Sequence, residues 1–189
     1  MALAGAMAPL QGEVDWLGDR VEKRVSIRTL ADQGLGFLTE ERSVFRQLTV
    51  AENLRVGRCD NDLALSLFPE LRPLIKRKVG LLSGGEQQML GLARALARKP
   101  KVLLVDEMSL GLAPRMVTRL MDALRQAADS GIGVILVEQH VPQALRIADH
   151  VCVIAGGRMT LTGRVSDVAE HVDAAFLADV LGQTSDGST

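Results

Sequence analysis

Asp106 and Glu107 follow directly on the apolar run 102–105. Carboxylates at the mouth of a buried strand are costly unless a cation or a ligand uses them. Such a pair suits phosphate chemistry. Asp106 can enter the shell of a Mg²⁺ ion, and Glu107 can orient or deprotonate an attacking water. Taken alone, an Asp-Glu pair also ends many strands in a plain solvated turn. A second group stands earlier, in Leu82-Ser83-Gly84-Gly85-Glu86-Gln87-Gln88. Ser83 and Glu86 have the spacing of a capping box, in which Ser83 bonds the amide three residues on and Glu86 reaches back. Gly84 and Gly85 keep Cβ atoms away from the helix mouth. Backbone N–H groups can then meet a ligand oxygen at the positive end of the helix dipole. A capping box with nothing bound is the plain alternative, because the box by itself is common.

The scaffold for these side chains reads as alternating strands and helices. Residues 1–10 suit the end of a packed helix, 12–18 a short strand closing in a turn, and 21–31 a charged stretch, helical at its end. Residues 34–38 read as a strand. A helix is expected from Val50, boxed by Thr49 and Glu52, and a short one over 63–67, stopped near Pro69. Residues 86–98 form an amphipathic helix with Met89, Leu90, Ala93, Leu96 and Ala97 on its apolar side. The run 102–105 suits a parallel strand covered on both faces. A helix over 114–130, a strand over 134–137, a helix over 142–149 and a strand over 151–154 follow. Gly156-Gly157 then turns into a hairpin strand over 158–162. The alternation predicts an α/β fold in one domain. Residues 1–40 and 98–182 form its sheet-bearing core, 41–97 an inserted helical lobe, and 183–189 a disordered tail.

At 189 residues the chain can bury one real core. A formal net charge of −1 argues against nucleic acid held by bulk electrostatics. Cys59 and Cys152 lack metal-ligand spacing and read as two reduced thiols. The apolar start lacks a basic n-region and is cut short by Pro9, unlike a signal peptide. No run has the length of a transmembrane helix.

In their order and at their distance, the 82–88 string and Lys101-Val-Leu-Leu-Val-Asp106-Glu107 resemble two motifs of the ATP-binding cassette (ABC) ATPases, the signature and Walker B. The likeness runs from Gly12 to about Gly163. Three more strings resemble the ATP-binding subunit of branched-chain amino-acid uptake systems. They are Glu40-Glu-Arg-Ser-Val-Phe45 with Leu48-Thr-Val-Ala-Glu-Asn-Leu54, then Ser109-Leu-Gly-Leu-Ala-Pro114, then Val137-Glu-Gln-His140. The resemblance implies a P-loop NTPase-like ABC nucleotide-binding domain, a mostly parallel sheet with helices on both faces and an inserted helical subdomain. It implies ATP and Mg²⁺ as ligands. It also implies a second ABC ATPase subunit, identical or related, and two ATP molecules, each held between the phosphate loop and Walker B of one subunit and the signature helix of the other. On that likeness Ser83, Gly84, Gly85 and Glu86 act on the partner's ATP, Gly111 lies in the D-loop that couples the two sites, and Glu40 stands at the Q-loop position. Glu107 is the base and Asp106 the metal residue. Gln139 takes the switch-histidine position with His140 one residue later. His140 is either a surface loop histidine or a nucleotide contact. Permease subunits would hold the chain at the inner face of the cell membrane, and no nucleic acid is expected as a partner.

Departures from the general ABC pattern are informative. Glu40 in place of glutamine and Gln139 in place of histidine resemble what the branched-chain subgroup itself carries, and Met108 replaces a frequent proline. No Gly-x-x-x-x-Gly-Lys-Ser/Thr phosphate loop occurs in the 189 residues, and 1–7 resembles the helix that follows that loop. The expectation is an N-terminally truncated cassette, through a start placed too late, a fragment or a natural truncation. The function expected is ATP binding and hydrolysis for an importer of branched-chain amino acids, with this chain inactive alone. The rival is a non-catalytic module that lends its signature helix to a complete partner ATPase.

Overall fold

Local signals set the first elements of the computed structural model, which describes residues 3–5, 7, 11–20, 26–39 and 43–168. Strands β1 (Asp15–Trp16) and β2 (Asp19–Arg20) pair antiparallel around Leu17 and Gly18, both at positive φ. Ser26 caps α1 (Ile27–Asp32) by accepting a hydrogen bond from the Thr29 amide. Strand β3 (Leu35–Leu38) follows. The expectations for 1–10 and 21–25 fall mostly outside the described residues, as do those for 169–189.

The chain then leaves the sheet for a run of helices. Thr49 and Glu52 form the expected capping box on α2 (Val50–Val56). Helix α3 (Asn61–Leu67) starts earlier than the 63 read from the sequence, because the Asp60 carboxylate accepts from the Leu63 amide and caps it. Two 3-10 turns, Pro69–Leu74 and Val79–Leu81, were not anticipated; Pro69 and Pro73 deny the first of them a full α ladder. Backbone pairing brings the ends of this stretch together. Val79 N–H donates to Leu48 O, Gly80 N–H to Arg46 O, and Val50 N–H to Arg77 O. Inside the closure, Asn53 is fully buried. It accepts from the Phe45 amide and donates to the carbonyls of Phe45 and Thr49.

Helix α4 (Gly84–Leu96) returns the chain to the sheet with Met89, Leu90, Ala93 and Leu96 buried. Strand β4 (Val102–Asp106) pairs parallel with β3, and α5 (Pro114–Asp129) crosses to β5 (Gly133–Val137), which pairs parallel with β4. The sheet order is therefore β3-β4-β5. Leu103, Leu104 and Val105 are buried, as the unbroken apolar run required. One face of α5 is equally buried, through Val117, Leu120, Met121, Ala123, Leu124 and Ala127. Gly131, at φ +97, ends the crossover in the left-handed region that a glycine enters without strain. These elements form one compact unit, Met1–Gln139.

Residues His140–Thr189 form a second unit. In it α6 (Val141–Leu145) stops short of the expected 149, and β6 (His150–Ala155) pairs antiparallel with β7 (Arg158–Arg164) across Gly156 and Gly157. Both glycines take positive φ, as a tight two-residue hairpin turn requires. Helix α7 (Val165–Val168) closes on this hairpin, where Val168 packs with Val141, Leu145, Val151, Val153 and Leu161.

Candidate functional site

The parallel register places Asp106 beside Val137, so β4 and β5 end together. Asp106 and Glu107 emerge there half-buried. Glu107 is held at φ +46, a left-handed backbone that a glutamate adopts at a cost of about 1 kcal/mol or more. Its amide donates to Val137 O at 2.9 Å, and its Oε1 accepts from Gln139 Nε2 at 2.7 Å. Glutamine donates through its amide, so Gln139 can hold the Glu107 carboxylate in one orientation.

Glu138, which no sequence argument singled out, makes the matching contact on the other side. Its two oxygens accept from the Ser109 amide at 2.9 Å and from Ser109 Oγ at 2.7 Å. Ser109 is buried. The only signal available was its place within the 137–140 string. Gly111, further along, is exposed at φ +70, which suits a glycine in a tight surface turn.

At the mouth of α4, Ser83 Oγ accepts from the Glu86 amide at 3.3 Å and Glu86 Oε2 accepts from the Ser83 amide at 2.7 Å. Glu86 thus caps the helix, while Ser83 is exposed and Gly84 half-exposed. Gly85 is buried for a further reason. A Cβ there would stand 2.6 Å from Met116 Cγ and 2.9 Å from Met116 Cε, so its glycine lets the first turn of α4 lie against α5. The same helix carries Arg119, which donates to Glu70 Oε1 at 2.8 Å and to Leu67 O, and lies over the Phe68 ring at 4.6 Å. Gln87 Nε2 fixes the turn before the mouth by donating to Val79 O and Leu82 O.

The structure therefore brings Glu107 together with Gln139 beside Asp106, and Ser83 together with Glu86. His140 is exposed and begins α6 in the second unit without a side-chain cap. Glu40 lies outside the described residues. Among the described residues no group of three or more His, Cys, Asp or Glu side chains could hold a metal ion. A Mg²⁺ ion does not need such a group, since it takes one or two protein carboxylates and completes its shell with phosphate and water oxygens.

A parallel sheet with helices packed on it, an acidic pair at a strand end and a boxed glycine helix mouth define a nucleotide-binding α/β cassette. The family profile described as ABC transporter matches residues 1–109, and the chain belongs to that family. It is 38% identical over 170 residues to the high-affinity branched-chain amino acid transport ATP-binding protein BraG of Pseudomonas aeruginosa, covering 85% of this chain and 72% of that one. It is 38% identical over 148 residues to the probable branched-chain amino acid transport ATP-binding protein LivF of Archaeoglobus fulgidus, covering 73% of this chain and 63% of that one. Among solved structures, an ATP-binding cassette of an ABC transporter in its ADP conformation superposes with a TM-score of 0.77 at 20% identity, over 99% of this chain and 81% of that one. That likeness establishes the fold: an ABC nucleotide-binding cassette, α/β and P-loop NTPase-like.

Proposed function

We propose that this chain is the ATP-binding and ATP-hydrolysing subunit of an importer for branched-chain amino acids. It would work beside a second ABC ATPase subunit, identical or related, and transmembrane permease subunits at the inner face of the membrane. The observation that carries the reading is the Gln139–Glu107 hydrogen bond of 2.7 Å at the shared end of β4 and β5. It orients a carboxylate where a water could be activated. The two branched-chain relatives support the substrate class.

In this reading 41–97 is the signature subdomain carried on the core of 1–40 and 98–182. Glu107 accepts the proton of the attacking water through the oxygen that Gln139 leaves available. Asp106 holds Mg²⁺, which when bound would neutralise phosphate charge. Ser83, Gly84 and Gly85 present the α4 mouth to the partner's ATP, with Glu86 keeping that mouth in shape. Glu40 and His140 stand at the Q-loop position and beside the switch position, and Gly111 lets the D-loop turn. In the assembled transporter, Glu107→Gln should cut ATP turnover by about 100-fold or more while ATP still binds. Full turnover in that variant would remove Glu107 from the role of base.

The boxed α4 mouth, with Ser83 exposed, also suits a second reading, a non-catalytic module that lends its signature helix to a complete partner. Titration calorimetry of the isolated chain with Mg-ATP separates the two, because tight binding would eliminate the module.

A further inference from the structure

The turn that carries Glu107 is held from both sides by residues that leave β5. We infer that Ser109 and Glu138 are positioning residues for Glu107, forming with Gln139 a two-pin latch across the ends of β4 and β5. The proposal rests on the role of Glu107 given above.

Three observations carry it. First, Glu107 sits at φ +46, a conformation that relaxes unless its surroundings hold it. Second, consecutive residues grip alternate ones: Gln139 donates to Glu107, and Glu138 accepts twice from Ser109, with Met108 between them buried in the core. Third, Ser109 is 2% exposed, so its amide and hydroxyl have little water to fall back on if Glu138 is removed. A carboxylate that accepts from both donors of one serine fixes that residue's position as well as its bonding. With that pin removed, Glu107 itself still bonds the Val137 carbonyl and the Gln139 amide, but the residues after it are less firmly held and the left-handed residue can relax. Its carboxylate would then drift from the Gln139 amide. Glu138 touches no reacting atom in this scheme and acts through the turn alone.

The latch has its own reporter, the side-chain NH₂ of Gln139. In ¹H–¹⁵N spectra of the full chain, that resonance is assigned by its loss in Gln139→Glu, and its released position is read from Glu107→Ala. Ser109→Ala and Glu138→Ala should each move it toward the released position. Glu138→Gln keeps an acceptor for the Ser109 amide and should move it less. In the assembled transporter, Ser109→Ala and Glu138→Ala should each lower kcat for ATP about ten-fold at unchanged KM, and the double variant should be no slower than the slower single one. An unmoved Gln139 resonance in the folded Ser109→Ala, Glu138→Ala and Glu138→Gln chains overturns the latch, whatever the turnover. A moved resonance with unchanged kcat overturns the positioning role. A native complex that turns over no ATP defeats the proposed function instead, and the resonance still decides whether the latch exists.

Discussion

Gly85 shows how a single residue can satisfy two demands at once. It lies in the first turn of a helix mouth suited to an anion, and its missing Cβ is also what Met116 occupies. Gly85→Ala should lower the urea-denaturation free energy by about 1–3 kcal/mol through overpacking, and Met116→Ala in the same chain should restore part of it. Glu70 offers a pH test. The hydrogen bond from Arg119 holds its carboxyl below the usual carboxylate range against a smaller opposing effect of burial. A depressed folded-state pKa stabilises above the unfolded value near 4.5, and that contribution is lost as pH falls through the folded value. The pair is partly exposed, so its worth is less than about 1 kcal/mol. Wild-type and Glu70→Gln chains should therefore differ in denaturation midpoint at pH 7 and converge as pH falls through the lowered folded-state pKa of Glu70. Asp106 and Glu107 could be picked out from residue type and neighbouring pattern, because a strand end advertises its carboxylates, whereas Gln139 came only through the family resemblance. Glu138 could not. Its contact with Ser109 depends on the register that sets Asp106 beside Val137, and no local pattern encodes which residues two strands will place side by side.

At the level of elements, legibility followed how local the cause was. The two capping boxes, at Thr49–Glu52 and Ser83–Glu86, appear where their four-residue spacing predicts them. So do α5, bounded by Pro114 and Gly131, and β4 with its unbroken apolar run. The 3-10 turns at 69–74 and 79–81 escaped for different reasons: Pro69 reads as a helix stop yet with Pro73 it shapes the first, and the second is set by pairing with residues some thirty positions earlier. Asn53 is the side chain that secures this pairing. Burying an asparagine is unfavourable unless its amide is satisfied, and here the Phe45 and Thr49 backbone satisfies it. Asn53→Ala should cost about 2–3 kcal/mol, more than the ~1 kcal/mol of Thr49→Ala, since it removes a fully buried side chain and strands partly buried backbone groups rather than an exposed cap. Chemical denaturation of the two variants side by side checks the order.

For the whole molecule, the sheet is the feature with the widest reach. Its β5 strand leaves Ile135 and Val137 exposed at 44% and 54%, although parallel strands are ordinarily covered on both faces. An apolar strand of that kind invites association between copies in solution. Replacing Ile135 and Val137 together by Lys should raise the monomeric fraction of the isolated chain in light scattering at matched concentration. Among the described residues no helix is long and apolar enough to cross a membrane. The backbone closure of 46–50 on 77–80 has a different bearing, on how such proteins diversify. Because that stretch ties its own ends together, changes on its exposed face, at positions such as Asp62, Ser66 and Arg72, should not reach the strands that bear the acidic pair. Its inner face has no such freedom, since Phe68 and Leu71 are buried and Arg119 of α5 holds Leu67 and Glu70.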